Sequence, residues 1–364
     1  MKPQKQNRLP AAYYRGGSSR AIMLLSSDLP SDKKAWDTIF PGIIGSPDPY
    51  GRQLDGLGGG ISSLSKVCVV GKSTVTNADV DYTFASIGIK NADVDYSSNC
   101  GNMSAAVGPF AIDSGLVGVN RDQTEATVRI NNTNTGKIIE ATFPVIDSEA
   151  AAQGDFAIDG VASTASRVTL NFFDPAGSRT GKLFPTAQIS ETICGIRATC
   201  IDAGNPCVFV LADELGVDGE ITPQQIQDHS TLCDRLEDIR REAGVKMGLA
   251  DTKDAVPGSV PKISILSKPR DSASDTITVR AMSVGQPHKA IPVTVAMAAA
   301  AAVNVPGTTV ADCLVGGPGG SVITIRHASG TLDVAAKLDD EGKLAAATVF
   351  RTARRLMDGT VYWK

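Results

Sequence analysis

The sequence predicts an α+β protein built as two similar halves, each wrapping β-structure around one central apolar helix. Three observations carry this prediction. Most of the chain reads as short apolar segments set between Gly, Asp and Asn turns, the signature of strands. Two other segments, Met103–Ile112 (MSAAVGPFAI) and Val293–Val303 (VTVAMAAAAAV), read as helices with no polar face, and such helices must be surrounded. These two stand nearly half the chain apart, so each half receives one. A length of 364 residues fits two domains.

In chain order, Ser31 is the expected N-cap of a short helix carrying Ala35, Trp36, Ile39 and Phe40 on one side. Strands follow at Val67–Val70 and Val80–Phe84, then the first apolar helix, then strands at Ala126–Ile130, Lys137–Phe143 and Arg167–Phe172. The boundary is placed near Gly181–Pro185, giving domains 1–185 and 186–364, with the last strand free to return to the first. The second half reads as Cys207–Leu211, Ile263–Leu266, Ile277–Met282, Val322–Arg326 and Ala345–Arg351. Between the first two of these lies a surface helix from Thr222 to Gly244. Pro223 opens it, Gln225 completes a capping box, and Ile226, Leu232, Leu236 and Ile239 form its apolar stripe.

Composition excludes several function classes. The net charge of −4, with no dense Lys/Arg run, leaves no electrostatic footprint for nucleic acid or an anionic membrane. Seven scattered cysteines without CxxC spacing and only three histidines point to a reducing compartment and to no metal site. Met1–Leu9 lacks the apolar core of a signal peptide, and Ile291–Val305 is too short for a membrane span. A soluble cytoplasmic protein is expected, with a homo-oligomer left open.

Four stretches combine groups suited to binding anions and moving protons. In Asn99-Cys100-Gly101-Asn102, the cysteine stands at a helix N-terminus, where unpaired N–H groups and the macrodipole favour thiolate and hold carboxylates. In Asp55–Lys66 a glycine-rich loop ends in Ser62-Ser63-Leu64-Ser65-Lys66 beside an apolar strand. Lost hydration there favours a neutral amine usable as a base, the alternative being a solvated lysine at a strand edge. Arg15-Gly16-Gly17-Ser18-Ser19-Arg20 offers hydroxyls and guanidinium groups to a carboxylate, or is an ordinary turn. Gly285–Thr294 opens the second buried helix with His288 and Lys289 beside it. Asn205, in Asp202–Cys207, either donates to a ligand or fixes a turn. A cleft between two helix starts suits a di- or tricarboxylate.

These residues together resemble the PrpF family of methylaconitate and aconitate isomerases. The resemblance lies in Ile44–Gly51, Ser62–Lys66, Asn99–Asn102, Ile201–Pro206, Pro287–Ala290 and Thr352–Arg355, and covers nearly the whole chain. It implies a diaminopimelate-epimerase-like fold, with two pseudo-symmetric domains whose curled, mostly antiparallel sheets surround a central helix. It also implies a cofactor-free 1,3-allylic proton shift on an unsaturated tricarboxylate, with Lys66 and Cys100 as the paired catalytic groups. Ser18, Ser19, Arg20, Ser65, Gly101, Asn102, Asn205, His288 and Lys289 are the expected substrate-binding residues. Where the epimerases carry a second cysteine, this chain has none. An amino- or hydroxy-acid racemase would therefore need Cys207 or Cys313. A non-catalytic carboxylate-binding accessory protein is the third reading.

Overall fold

The computed structural model describes residues 5–271, 273–315, 322–339 and 344–364. The first half supplies β1 (Asn7–Gly16), β2 (Ser19–Leu25), β3 (Lys66–Lys72), β4 (Val80–Ile87) and the two-residue β5 (Val94–Asp95). It continues with β6 (Glu125–Asn132), β7 (Lys137–Ile146), the short β8 (Glu149–Ala150) and β9 (Arg167–Phe173). Helix α1 (Trp36–Ile44) joins β2 to β3, and α2 (Gly101–Asp113) joins β5 to β6.

Strand pairing closes this half into a ring. β2 and β3 run parallel, as do β4 and β6, and the other contacts are antiparallel. The ring closes through β18 (Leu344–Trp363), whose residues 346–352 pair with β9 and 353–363 with β1. Inside it lies α2, every residue of which from Gly101 to Ile112 is buried. Alternation along the strands sends Ala12, Tyr14, Ala21 and Met23 inward to α2, and Ile22 and Leu24 outward to α1.

The second half supplies β10 (Glu191–Ile193), β11 (Ile196–Asp202), β12 (Pro206–Leu211), β13 (Lys262–Ser267), β14 (Thr276–Ser283), β15 (Gln286–Pro287), β16 (Val322–His327) and β17 (Gly330–Leu338). The same pairing order recurs: β11–β12 antiparallel, β12–β13 parallel, β13–β14 antiparallel, β14–β16 parallel, then β16–β17 and β17–β18 antiparallel. Helices α3 (Ala212–Leu215), α4 (Pro223–Asp228) and α5 (Leu232–Lys246) stand where α1 stands in the first half. The wholly buried α6 (Val293–Val303) stands where α2 does.

Two local expectations are corrected. The short helix is capped by Asp32, whose side chain accepts from Lys34 N–H, rather than by Ser31. The surface helix is broken in two, because His229 is extended and its Nδ1 accepts from the Thr231 and Leu232 N–H groups at 3.3 and 3.2 Å. Its second part runs past Gly244 to Lys246. At Arg15–Arg20 the ordinary turn is what the structure has: β1 runs to Gly16, and Gly17-Ser18 is a two-residue hairpin turn with Gly17 at φ +51°. Among the described residues no helix is long and apolar enough to cross a membrane.

Candidate active site

Two helix starts meet at the centre of the molecule. α2 begins after Cys100, which is extended, and α6 begins after Pro292; no side chain caps either one. The first-turn N–H groups of an uncapped helix have no partner within the helix. Gly101 lets the two starts touch, since a Cβ there would stand 2.8 Å from Val293. Asn205 fastens them together. Its Oδ1 accepts from Asn99 N–H at 2.9 Å, and its Nδ2 donates to the Asn99 carbonyl at 2.8 Å and to Thr294 Oγ1 at 3.2 Å.

Between the starts is a cavity of about 20 Å³, room for a single water. Ser19, Lys66, Ser86, Cys100 and Asn102 line it from the first half, and Lys262, Ser283, His288 and Thr294 from the second. Among the described residues no aspartate or glutamate does. Enclosed cationic groups without lining carboxylates make a place for an anion to supply the missing charge.

Lys66 opens β3, and its Nζ lies 3.4 Å from Cys100 Sγ, both side chains being buried. The same nitrogen stands 5.0 Å from the centre of the Phe84 ring. Across the cavity, Lys262 Nζ donates to the Ser259 carbonyl at 2.8 Å. Burial, and after it the charge of Lys66, brings the Lys262 amine down to about 8. His288 is held at about 3, chiefly by burial, so it is neutral at ordinary pH. Its Nδ1 accepts from Ala290 N–H at 3.1 Å, which leaves the hydrogen on Nε2.

The expected site residues divide. Lys66, Cys100, Ser19, Gly101, Asn102 and His288 come together at the cavity. Arg20 does not: on β2 it alternates with Ser19, and its guanidinium lies over the Tyr13 ring on the opposite face. Ser65 is fully buried, with its hydroxyl donating towards Gln53 Oε1 and the Ile61 carbonyl at 2.7 and 2.9 Å. Lys289 is exposed. Ser18 stands one step back, its N–H 3.5 Å from Asn102 Oδ1. Asn205 spends its amide on the two helix starts, so it positions the site and does not line it.

Sequence reasoning missed Lys262, Ser86 and Ser283. Arg351, buried beside Gly17 and held down to about 10 by burial, does not line the cavity. A signal for Lys262 existed: like Lys66, it directly precedes an apolar strand. Cys207 and Cys313, the thiols a racemase would need, are buried away from the cavity lining, and burial pushes both thiols up. Among the described residues no three His, Cys, Asp or Glu side chains are grouped to hold a metal ion.

The chain is 39% identical to 3-methylitaconate isomerase of Eubacterium barkeri, over 98% of this chain and 97% of that one. It is 37% identical to 2-methyl-aconitate isomerase of Cupriavidus necator, with the same shares covered. It is 36% identical to (4E)-oxalomesaconate Delta-isomerase of Novosphingobium sp. (strain KA1), over 97% of each. The crystal structure of a methylitaconate-delta-isomerase superposes with a TM-score of 0.77 at 36% identity, covering 99% of this chain and 96% of that one. A hydroxyproline epimerase from Agrobacterium vitis, at 13% identity and a TM-score of 0.59, shares the fold. The PrpF protein family matches residues 6–364, and the chain belongs to that family.

Proposed function

We propose that this chain is an isomerase of unsaturated di- or tricarboxylates, such as aconitate or 2-methylaconitate, that moves a C=C bond by a cofactor-free 1,3 proton shift. The observation that carries this reading is the contact of Lys66 Nζ with Cys100 Sγ at an uncapped helix start. The names of the relatives, each an isomerase of an unsaturated carboxylate, support it. Lys66 removes a proton from the carbon next to the double bond. The resulting carbanion is delocalised, and its charge spreads onto a carboxylate. The first-turn N–H groups of α2 and α6, the Ser19 hydroxyl and His288 Nε2–H are fixed donors for that charge, and preorganised donors of this kind often contribute most to a rate enhancement. Cys100 shares the proton of Lys66 or positions the substrate beside it. We read residues 1–185 and 186–364 as pseudo-symmetric domains contributing one helix start each, a reading supported by the recurring strand order.

The test is incubation with cis- and trans-aconitate and the 2-methylaconitate isomers in deuterated water, followed by proton NMR. Migration of the double bond with deuterium entering the substrate is the expected result. Exchange at the α-carbon of an amino acid, with every unsaturated carboxylate untouched, would overturn it.

A further inference from the structure

The cavity holds a second buried lysine to which the reaction above gives no part. Lys262 is the first residue of β13 as Lys66 is the first of β3, and each strand pairs in parallel with the strand before it. Lys66 pairs with Ser86 on β4. Ser264 pairs with Ala281 on β14, and the same antiparallel register carried two positions further sets Lys262 opposite Ser283. All four residues line the cavity, Lys66 and Ser86 from one half, Lys262 and Ser283 from the other.

We propose that Lys262 is the second acid–base group of the site, returning a proton to the allylic carbon remote from the one Lys66 deprotonates. This inference rests on the isomerase reading. In the forward direction the neutral Lys66 amine takes a proton from the substrate carbon, breaking a C–H bond and leaving its electron pair in the allylic system. The Lys262 ammonium then gives a proton to the other end of that system, forming the new C–H bond and becoming a neutral amine. One proton is taken up and one delivered, and exchange with water resets both lysines. The charged or titratable groups facing Lys262 are Lys66, Cys207, Cys100, Asp95 and His288. Burial lowers the Lys262 amine, so its ammonium gives up a proton more readily than a solvated lysine does, as an acid–base catalyst requires. Among the described residues its ammonium donates to the Ser259 carbonyl alone, which leaves two hydrogens for a ligand.

The experiment follows exchange and migration separately in deuterated water for the wild type, Lys262→Met and Lys262→Arg. In Lys262→Met, double-bond migration should fall by about 10²-fold or more, while deuterium still enters recovered substrate through Lys66. Lys262→Arg keeps a cation but cannot release its proton in this range, so it should bind substrate with a near-normal KM and still fail to migrate the bond. Exchange and migration falling together in Lys262→Met, or migration restored by Lys262→Arg, would make Lys262 an anion holder and overturn the proposal. Full migration in Lys262→Met would overturn it too. A wild type that neither exchanges nor isomerises any unsaturated carboxylate would instead sink the isomerase reading itself.

Discussion

At the start of α2 a thiol and an amine are in contact beside an aromatic ring, whereas at the start of α6 a proline holds the corresponding place and the facing lysine leans on a backbone carbonyl. The backbone plan is shared, but the side-chain chemistry is not. Both starts can hold a carboxylate, because uncapped N–H groups do not depend on side chains. Inversion at a single carbon calls for two matched groups on opposite faces. A shift of a proton between two different carbons tolerates two different groups, and that is what the two starts offer.

The strongest way to break this comparison is to remove the amine from the first start. Lys66→Ala should lower kcat on the order of 10²–10⁴-fold with an unchanged circular dichroism spectrum, and full activity would take Lys66 out of the mechanism. Cys100→Ser keeps a hydrogen-bonding partner for Lys66 but a far less acidic one. A loss of about 10-fold to 10²-fold in kcat is expected from steady-state assays, and no loss would leave the sulfur without a role.

Asn205→Leu tests the tie between the starts. It strands the Asn99 N–H and carbonyl in a buried place, costing about 1–3 kcal/mol for each group left unpaired. Urea unfolding should report that loss, and a midpoint equal to the wild type's would show the tie to be dispensable. The smallest effect concerns pH. His288 and His327 are held at about 3 and about 4, mainly by burial, below the ordinary value of 6.5. Between those values and 6.5 the unfolded chain binds protons that the folded protein does not, so stability falls as pH drops through this window. Unfolding midpoints at pH 7 and pH 5 check this, and His288→Gln should reduce the difference between them.

How far the sequence led depends on whether the signal was local. The apolar helices were legible because burial on all sides leaves no polar stripe, and Val293–Val303 matches α6 residue for residue. Lys66 and Cys100 were legible because each sits at a punctuated start, one after a glycine loop and one before a helix. Arg20 was misplaced because a one-residue step along a strand reverses the face, and composition carries no register. Ser65 was misread because its hydroxyl is taken by Gln53, twelve positions earlier, a pairing only the folded loop creates. Lys262 went unnoticed because it becomes a neighbour of the site through strand pairing across the chain. β1 went unseen for the same reason: it is held by β18, more than three hundred positions later.

That last pairing has a consequence for how the protein is made. Residues 346–352 and 353–363 of β18 are the staves that complete the ring around α2. While a ribosome is still translating the second half, β1 and β9 therefore emerge with bare edges, open to pairing with any other nascent strand. The N-terminal barrel can shut only after residues beyond 344 have been released, which makes its final folding step late, non-local and slow.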